Sequence, residues 1–422
     1  MKIPPGLRRI AQGAVLLLPP VLLMSRGVAD GLMSVAGLLF LIRSALARDW
    51  RWTNAAWIRL AVPFWAWIAL CSLLDGNPHS ILQGALTIRF LIFTAALEAW
   101  VLADTEARRR LAWVIRLTAA WVVLECWQQY LTGANIFGYP RFGDGALTGP
   151  FLQPRAGGTY LQMFFPAVLP PAILLLARPD WRGRLGGVLL LMAAAMSMVL
   201  IGQRMPTLLM VLGLLIAALL LRRLRLPVLV ALVAGALLLA ATPVISPPTF
   251  AKLVVRFSDT MAHFGPSPYG QLFIRATAML EAHPLFGLGF DGFRNACADP
   301  RNFTGLPWLG AQGADLGTSD GCNIHPHNYY LEIATTGGWP ALLLFAALAI
   351  TWLRRIGHAL SPATQPMRAA LFTTCAVALW PIASTSALFG VDVAGWVFLM
   401  LGWGLAAAAC PGSSNSPGRS PP

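Results

Sequence analysis

Charged residues are scarce in this chain of 422 residues: Asp, Glu, Lys and Arg make up 11% of it, whereas hydrophobic residues make up 57%. A water-soluble domain carries about 25% charged residues, so the chain has too few charges to cover a surface that faces water. Lipid is therefore expected around most of it. The formal net charge is +14, but no basic stretch with interleaved aromatic residues stands apart from the apolar segments. This argues against a nucleic-acid-binding protein.

Two motifs that would indicate a metal site are absent. The six cysteines include no C-x-x-C pair, so a zinc site is not expected. No Asp-x-Asp motif is present to hold a metal and a diphosphate together. We therefore expect no metal and no other cofactor. Cys297 and Cys322 lie in one long connection, and a disulfide between them is possible if that connection faces an oxidising compartment.

Long apolar runs fill most of the chain. A transmembrane helix needs about 20 such residues, and most of the runs approach or exceed this length. They predict an all-α polytopic membrane protein with about 12 transmembrane helices. The runs lie at about 10–25, 31–47, 55–74, 81–103, 111–131, 158–177, 185–202, 206–221, 226–245, 328–353, 369–387 and 391–409.

Basic residues are concentrated in alternate connections between these runs. The opposite connections are nearly free of them where they are short, as at 75–80 and 388–390. Because basic residues are retained on the cytoplasmic side, both termini are predicted to be cytoplasmic. The basic connections hold Lys2, Arg8, Arg9, Arg48, Arg51, Arg108, Arg109, Arg110, Arg178, Arg182, Arg184, Arg222, Arg223, Arg225, Arg354, Arg355 and Arg368.

This topology divides the chain into four parts. Residues 1–245 hold membrane helices 1–9, with a Gly- and Pro-rich loop at 132–157 on the non-cytoplasmic side. Residues 246–327 form one large loop domain on that same side, and 328–410 hold helices 10–12. Residues 411–422 are rich in Pro and Ser and predict a disordered cytoplasmic tail.

Three arginines on the non-cytoplasmic side are candidates for function. Arg204 lies between two apolar runs and Arg89 lies inside one, and a charge at such depth is costly unless it serves a function. The alternative is an arginine that extends to the lipid head groups. Arg275 lies on a predicted amphipathic helix at 269–283, where alone it would be an ordinary solvated side chain.

The sequence His325-Pro326-His327-Asn328 precedes a predicted helix that Gly337-Gly338 should break. Pro326 restricts His325 to an extended conformation and suits a helix start, where free N–H groups favour an anion. The pattern indicates catalysis or substrate contact, with structural capping as the alternative. Two histidines two residues apart suit a zinc ion poorly.

Four segments resemble, in order, the O-antigen ligase/polymerase superfamily of bacterial envelope glycan enzymes. They are LTGPFLQPRAGGTYL at 147–161, LIGQRMP at 200–206, FIRATAMLEAHPLFGLGFDGF at 273–293 and HPHNYYLEIATTGGWPALLLF at 325–345. Two positions depart from the usual pattern. Gln203 stands where a small Ser is common, and Gln153-Pro154-Arg155 stands where Asn-Pro-Asn is more usual.

The resemblance implies glycan transfer from undecaprenyl diphosphate on the periplasmic face of the bacterial inner membrane. The acceptor is lipid A–core in ligases, a carrier-linked repeat in polymerases and a protein hydroxyl in related enzymes. Transfer would invert the anomeric carbon without metal or ATP. The residues implied are His327 or His325 as general base, Arg204, Arg275 and Arg89 as diphosphate ligands, and Asn328, Gly287 and Gly289 in support.

Three functions are compatible with these features. We expect a ligase, because that interpretation uses the basic loop and the single His-x-His-Asn site, and a polymerase of the same superfamily is the alternative. A transporter or flippase of a lipid-linked anion would also have many spans and buried arginines. It would commonly show inverted repeats, and none is visible here.

Overall fold

The structure, a computed structural model, describes residues 5–302, 322–383 and 385–409, and within these ranges every extended regular element is helical. The predicted tail at 411–422 and residues 303–321 of the predicted large loop lie outside the described residues. The α-helices are α1 Pro5–Met24, α2 Arg26–Ala47, α3 Ala56–Asp75, α4 Pro78–Leu86, α5 Ile88–Ala96, α6 Thr105–Thr132, α7 Ala156–Leu176, α8 Trp181–Ile201, α9 Arg204–Leu220, α10 Arg225–Ile245, α11 Pro247–Phe250, α12 Arg256–Ala262, α13 Pro268–Ala282, α14 Gly292–Ala296, α15 Tyr329–Gly357, α16 Pro366–Ala378 and α17 Val391–Ala409.

Nine helical segments among the described residues are long and apolar enough to cross a membrane. They contain α1, α2, α3, α4 with α5, α7, α8, α10, α15 and α17. The helix α9 is apolar but has 17 residues, and α6 carries a cluster of charges in its first turns. The all-α polytopic architecture is therefore confirmed, whereas the predicted count of twelve spans is not.

Only the first part of the predicted span at 369–387 is helical in the structure. Its helix α16 ends at Ala378, and Pro381 follows in an irregular segment. Proline cannot continue a helix because it lacks an N–H group and clashes with the preceding turn. The described residues between Ala378 and Val391 therefore form a connection to α17 rather than the end of a span.

Local sequence determines where many helices begin and end. The side chains of Asn77, Asp104, Asp180, Ser267 and Asn328 accept hydrogen bonds from backbone N–H groups in the first turns of α4, α6, α8, α13 and α15. Such caps satisfy donors that have no partner inside the helix. The left-handed glycines Gly76, Gly133 and Gly202 follow α3, α6 and α8, as is common at helix ends.

One apolar core joins most of the long helices. Its largest fully buried side chains include Trp57, Trp352, Trp403 and Phe398. The outer surface is also apolar, with Leu219, Leu237 and Val244 among its exposed residues, so the helices present hydrophobic surface both inward and outward. A bundle of this kind is compatible with lipid on its outer surface.

Polar contacts concentrate at the two ends of the bundle. At one end Arg8 pairs with Asp104 at 2.8 Å, and Glu98 accepts a hydrogen bond from Trp57 Nε1 at 2.7 Å. The opposite end, where α3, α6, α8 and α10 finish and α4, α7, α9 and α15 begin, is here named the loop end. The candidate residues other than Arg89 lie there.

Candidate active site at the loop end

The loop at 132–157 is an ordered structure built on the last turns of α6. The Gln129 amide donates to Tyr139 O at 3.0 Å and accepts from Thr148 N at 2.8 Å. The Glu125 carboxylate, buried in α6, accepts from Ile136 N at 3.2 Å. Two polar side chains of one helix thus fix the path of the loop.

The same loop packs against the segments that follow α8 and α10. Leu147 N donates to Ile201 O at 3.0 Å, and Lys252 forms an ion pair with Asp144. Burial opposes ionisation of Asp144, but hydrogen bonds from Lys252 and Ala146 and the nearby charges of Lys252 and Arg256 prevail and lower its pKa. Asp144 of the loop therefore interacts with the charges of Lys252 and of Arg256 at the start of α12.

Gln203 connects the start of α9 with the start of α7. Its amide nitrogen donates to Pro154 O, and its amide oxygen accepts from Gly158 N at 3.2 Å. A Cβ at Gly157 would lie 2.6 Å from that oxygen, so the close approach requires glycine. Gln203 stands where a small Ser is common in the resembled family. Its longer side chain spans the gap between the starts of α7 and α9.

Arg204 is the first residue of α9, and its guanidinium reaches α12. Nη1 donates to Thr260 Oγ1 at 3.0 Å and lies 3.4 Å from Arg256 O. The chain then continues from α12 to Tyr269 on α13, whose ring lies 5.6 Å from that of His327 in an edge-on arrangement. One segment, residues 256–269, therefore contacts Arg204 at its beginning and His327 at its end.

The imidazole of His327 is held by the connection before α17. Its Nδ1 lies 3.0 Å from Thr385 O, and Thr385 N donates to His327 O at 2.6 Å. A carbonyl oxygen only accepts hydrogen bonds, so Nδ1 carries the proton and Nε2 of the neutral ring has a free lone pair. His327 has φ = +54°, a conformation that is costly for a non-glycine residue and is common at functional sites.

Asn323 occupies the position in front of this lone pair. Its Nδ2 lies 3.0 Å from His327 Nε2, and its Oδ1 accepts from Ile324 N at 2.7 Å. The second contact orients the amide so that its NH₂ group faces the imidazole. A donor group is therefore already present where a hydroxyl would meet the base.

The ring of His325 meets that of His327 edge to face, with the ring centroids 4.4 Å apart. It is buried, and among the described residues neither of its ring nitrogens has a hydrogen-bond partner. Burial, together with the charges of His327 and Arg294, lowers the pKa of His325 to about 4. Burial also lowers the pKa of His327, although the hydrogen bond to Thr385 opposes this. Both rings are therefore neutral near pH 7.

Asn328 caps α15. Capping was the structural alternative to catalysis for the whole His-Pro-His-Asn motif at 325–328. The Asn328 Oδ1 accepts from Tyr330 N and Leu331 N at 2.9 and 3.1 Å, while its Nδ2 donates to Pro381 O and Ala383 O at 2.8 and 3.1 Å. Asn328 thus joins the start of α15 to the connection that holds His327. The two histidines take no part in the cap.

The glycine-rich turn after α13 fits against the break in α15. Gly337 and Gly338 have non-helical backbone angles, which confirms the predicted break. Leu288 N and Gly289 N donate to Thr335 O and Thr336 O at 2.8 and 3.0 Å. Gly287 and Gly289 have φ of +61° and +73°, and a Cβ on Gly287 would lie 2.5 Å from Thr336 C. The turn therefore depends on both glycines.

Arg275 lies on α13, which confirms the helix predicted at 269–283. Cys297 and Cys322 form a disulfide, and Arg275 Nη1 lies 2.8 Å from Cys322 Sγ. The side chain has no exposed surface, and burial lowers the pKa of its guanidinium. Its contact with a diphosphate stays a prediction, whereas its contact with the disulfide places it beside the residue that precedes Asn323.

Arg89 has a different environment. It forms an ion pair with Asp30 of α2 at 2.9 Å and donates to Leu86 O at 2.8 Å. Its guanidinium also lies over the ring of Phe90, 4.3 Å from the centroid. These contacts join α2 to α5, and the predicted role of Arg89 at a diphosphate stays a prediction.

The sequence carries no motif that marks Asn323, Tyr269 and Thr385 as neighbours of His327. Thr385 lies in a run that was assigned to a span, and only Pro381 signalled that the run is interrupted. Asn323 lies two residues before the histidine motif and directly follows Cys322. Its position next to a possible disulfide was the signal that this segment is held close to the histidines. Tyr269 begins the helix at 269–283, where an aromatic residue has many ordinary explanations.

Part of the chain is similar to a known protein family. No curated protein matches the chain. Residues 187–346 match the family described as O-antigen ligase. The matched segment runs from α8 into α15 and includes Arg204, α13 and the histidine motif. This match confirms the resemblance to the O-antigen ligase/polymerase superfamily over residues 187–346.

Proposed function

We propose that this protein is an O-antigen ligase-like enzyme that transfers a glycan from undecaprenyl diphosphate to lipid A–core. The observation that carries the proposal is the state of His327. Its Nδ1 proton is held by Thr385 O, and its Nε2 faces a hydrogen-bond donor. An imidazole that is neutral and oriented in this way is prepared to accept a proton from an acceptor hydroxyl.

The proposed reaction is one displacement that inverts the anomeric carbon. The acceptor hydroxyl replaces the Asn323 amide in front of Nε2 and gives its proton to that nitrogen. Its oxygen forms the new bond to the anomeric carbon while the bond from that carbon to the diphosphate oxygen breaks, and the bonding electrons leave with the diphosphate. His327 becomes an imidazolium whose Nδ1–H remains bonded to Thr385 O. Such general-base assistance contributes roughly 10²–10⁴-fold to the rate.

The leaving diphosphate requires positive charge, because the proposed reaction uses no metal. Arg204 is the proposed ligand, since its guanidinium lies at the loop end beside the segment that leads to His327. Charges fixed in advance near a leaving group stabilise the transition state more than the ground state. We propose in addition that Arg275 holds residues 322–327 in place through its contact with the disulfide. A diphosphate contact by Arg89 would require Arg89 to leave its ion pair with Asp30.

The proposal includes the membrane arrangement. We propose that the loop end is periplasmic, that both termini are cytoplasmic and that α6, α9 and α16 complete twelve spans with the nine long apolar segments. The 132–157 loop and residues 246–327 then lie on the side where carrier-linked glycans and lipid A–core meet. The alternation of basic connections supports this orientation.

The decisive experiment compares envelope glycans and the carrier-lipid pool of a strain that lacks the protein, complemented with wild type or with His327→Ala. Long glycan that accumulates on the carrier, with none on lipid A–core, is the expected result for both the deletion and the variant. Single repeat units in place of long chains would instead identify a polymerase. An unchanged glycan profile, or a His327→Ala variant with full transfer activity, would refute the proposal and favour a transporter.

A further inference from the structure

Asn323 covers the basic nitrogen of His327. Its Nδ2 lies 3.0 Å from His327 Nε2, and Nε2 carries the free lone pair because Nδ1 donates to Thr385 O. Asn323 is itself an exposed residue, so its amide lies between the solvent and the base. A water molecule or an acceptor hydroxyl must therefore displace this amide before it can donate a hydrogen bond to Nε2.

The other sides of the imidazole also have close neighbours. The rings of His325 and Tyr269 both meet it edge to face, with centroids 4.4 and 5.6 Å away, and Thr385 holds Nδ1. Among the residues that the structure describes, the Asn323 amide is the hydrogen-bonding group that stands at Nε2. The position of this one side chain therefore controls access to the base.

A disulfide fixes the residue that precedes Asn323. Cys322 is bonded to Cys297, which is buried in a small apolar core formed by α13 and α14. Arg275 of α13 also lies 2.8 Å from Cys322 Sγ. Consecutive Cα atoms are about 3.8 Å apart, so an anchored Cys322 leaves Asn323 little freedom to move away from His327.

The helix α13 contributes to both the base and this anchor. Tyr269 in its first turn contacts the ring of His327, and Arg275 farther along the same helix contacts the disulfide. Both the base and the residue that covers it are therefore positioned by one rigid element. The contact between Asn323 and His327 is a built feature of the loop end.

An accessible base is a disadvantage in the proposed reaction whenever no acceptor is bound. Water would give a proton to Nε2 while its oxygen bonds to the anomeric carbon. The bond from that carbon to the diphosphate oxygen would break, and the bonding electrons would leave with the diphosphate. The products are free glycan and carrier diphosphate, so the donor is consumed without transfer. Exclusion of water from an active site prevents side reactions of this kind.

We infer that Asn323, anchored by the Cys297–Cys322 disulfide, is a specificity-determining residue that keeps water from His327 until the acceptor enters. This inference rests on the proposed function and adds to it the selection of the acceptor over water. A bound acceptor can use binding energy from the rest of its structure to displace the amide, whereas a single water molecule cannot. A neutral hydrogen bond changes an equilibrium about fivefold, so Asn323 should restrict water by about that factor.

The test measures how the donor is partitioned between water and acceptor. Purified full-length protein in lipid nanodiscs receives the carrier-linked donor with or without lipid A–core, and free and transferred glycan are quantified. Asn323→Ala should release free glycan about fivefold faster without acceptor and should raise the ratio of free to transferred glycan with it. General structural damage would instead lower both reactions and leave their ratio unchanged.

The contribution of the disulfide is tested in the same assay. Cys297→Ser/Cys322→Ser should also raise the ratio of free to transferred glycan. Adding Asn323→Ala to this variant should raise the ratio no further than Asn323→Ala alone, because both changes remove the same contact. A phosphine reductant should raise the ratio in wild type and leave the double Ser variant unchanged. Asn295→Ala is the matched control, because Asn295 is an exposed asparagine of α14, and it should keep the wild-type ratio.

A second measurement needs neither donor nor transfer. Diethyl pyrocarbonate modifies accessible neutral imidazoles, and mass spectrometry gives the rate for each histidine. His327 should react about fivefold faster in Asn323→Ala than in wild type, while the exposed His263 should react equally in both.

Equal rates at His327, or an unchanged ratio of free to transferred glycan in Asn323→Ala, would overturn the inference. If wild type neither releases nor transfers glycan although Asn323 protects His327 from modification, the proposed function fails. The selection against water then fails with it, while the protection of His327 by Asn323 stands.

Discussion

His327 and Thr385 are joined twice, by a side-chain contact from Nδ1 to Thr385 O at 3.0 Å and by a backbone bond from Thr385 N to His327 O at 2.6 Å. The first contact fixes the tautomer, and the second fixes the backbone that carries the ring. Because the ring nitrogens are chemically distinct once one of them is bonded, this pair of contacts selects Nε2 as the basic nitrogen.

Replacing His327 with Ala should lower the rate of glycan transfer by at least about 10²-fold, because general-base catalysis contributes that much or more. The protein should still insert and accumulate, since His327 is not part of the cap of α15. Transfer is measured with purified donor and acceptor. His263→Ala is the control, because His263 is an exposed histidine on the nearby segment after α12. Equal losses in both variants would contradict a specific role for His327.

The pH dependence of transfer should reflect the lowered pKa of His327. A base must be unprotonated, so kcat/KM should fall as the pH drops through its pKa. Because burial lowers that pKa, the midpoint should lie below 6.5, the ordinary value for histidine. Asn323→Asp places a carboxylate beside Nε2 and stabilises the protonated ring, so the midpoint should move to higher pH. A midpoint that is identical in wild type and Asn323→Asp would exclude this geometry.

The sequence predicted most of the helices, because apolar runs, polar caps and glycines after helix ends act locally. It did not predict that Thr385 orients His327, since these residues are 58 positions apart and meet only because α16 ends before Pro381. The pairing of Arg89 with Asp30 likewise joins residues 59 positions apart. Burial of Arg275 depends on the packing around the disulfide. Contacts of this kind are properties of the tertiary structure, which periodicity and motifs do not encode.

Gly289→Ala should destabilise the loop end. The residue has φ = +73°, and an added Cβ would lie 2.7 Å from Asp75 Cβ and 2.9 Å from Ser80 Oγ. The backbone conformation alone costs about 1–2 kcal/mol for a residue with a side chain, and the collision adds to this. Thermal unfolding of the purified protein measures the loss. Gly143→Ala is the control, because a Cβ there meets no atom within 4 Å, and an equal loss in both variants would argue against a steric cause.

Asn328 provides a way to separate capping from positioning. Asn328→Ser keeps an oxygen that caps α15 but loses the Nδ2 donor to Pro381 O and Ala383 O, whereas Asn328→Ala loses both functions. Each lost hydrogen bond costs about 1 kcal/mol and the cap about 1 kcal/mol more, so we expect Ala to destabilise the protein more than Ser.

Transfer should fall in both Asn328 variants, because residues 381–385 then hold His327 less firmly. In Asn328→Ala the midpoint of the pH profile should also move to lower pH, since the hydrogen bond to Thr385 O raises the pKa of His327 and would be weakened. A variant that loses stability but keeps the wild-type rate and pH midpoint would show that Asn328 serves only as a cap. The hydrogen bonds from Nδ2 would then have no part in orienting the base.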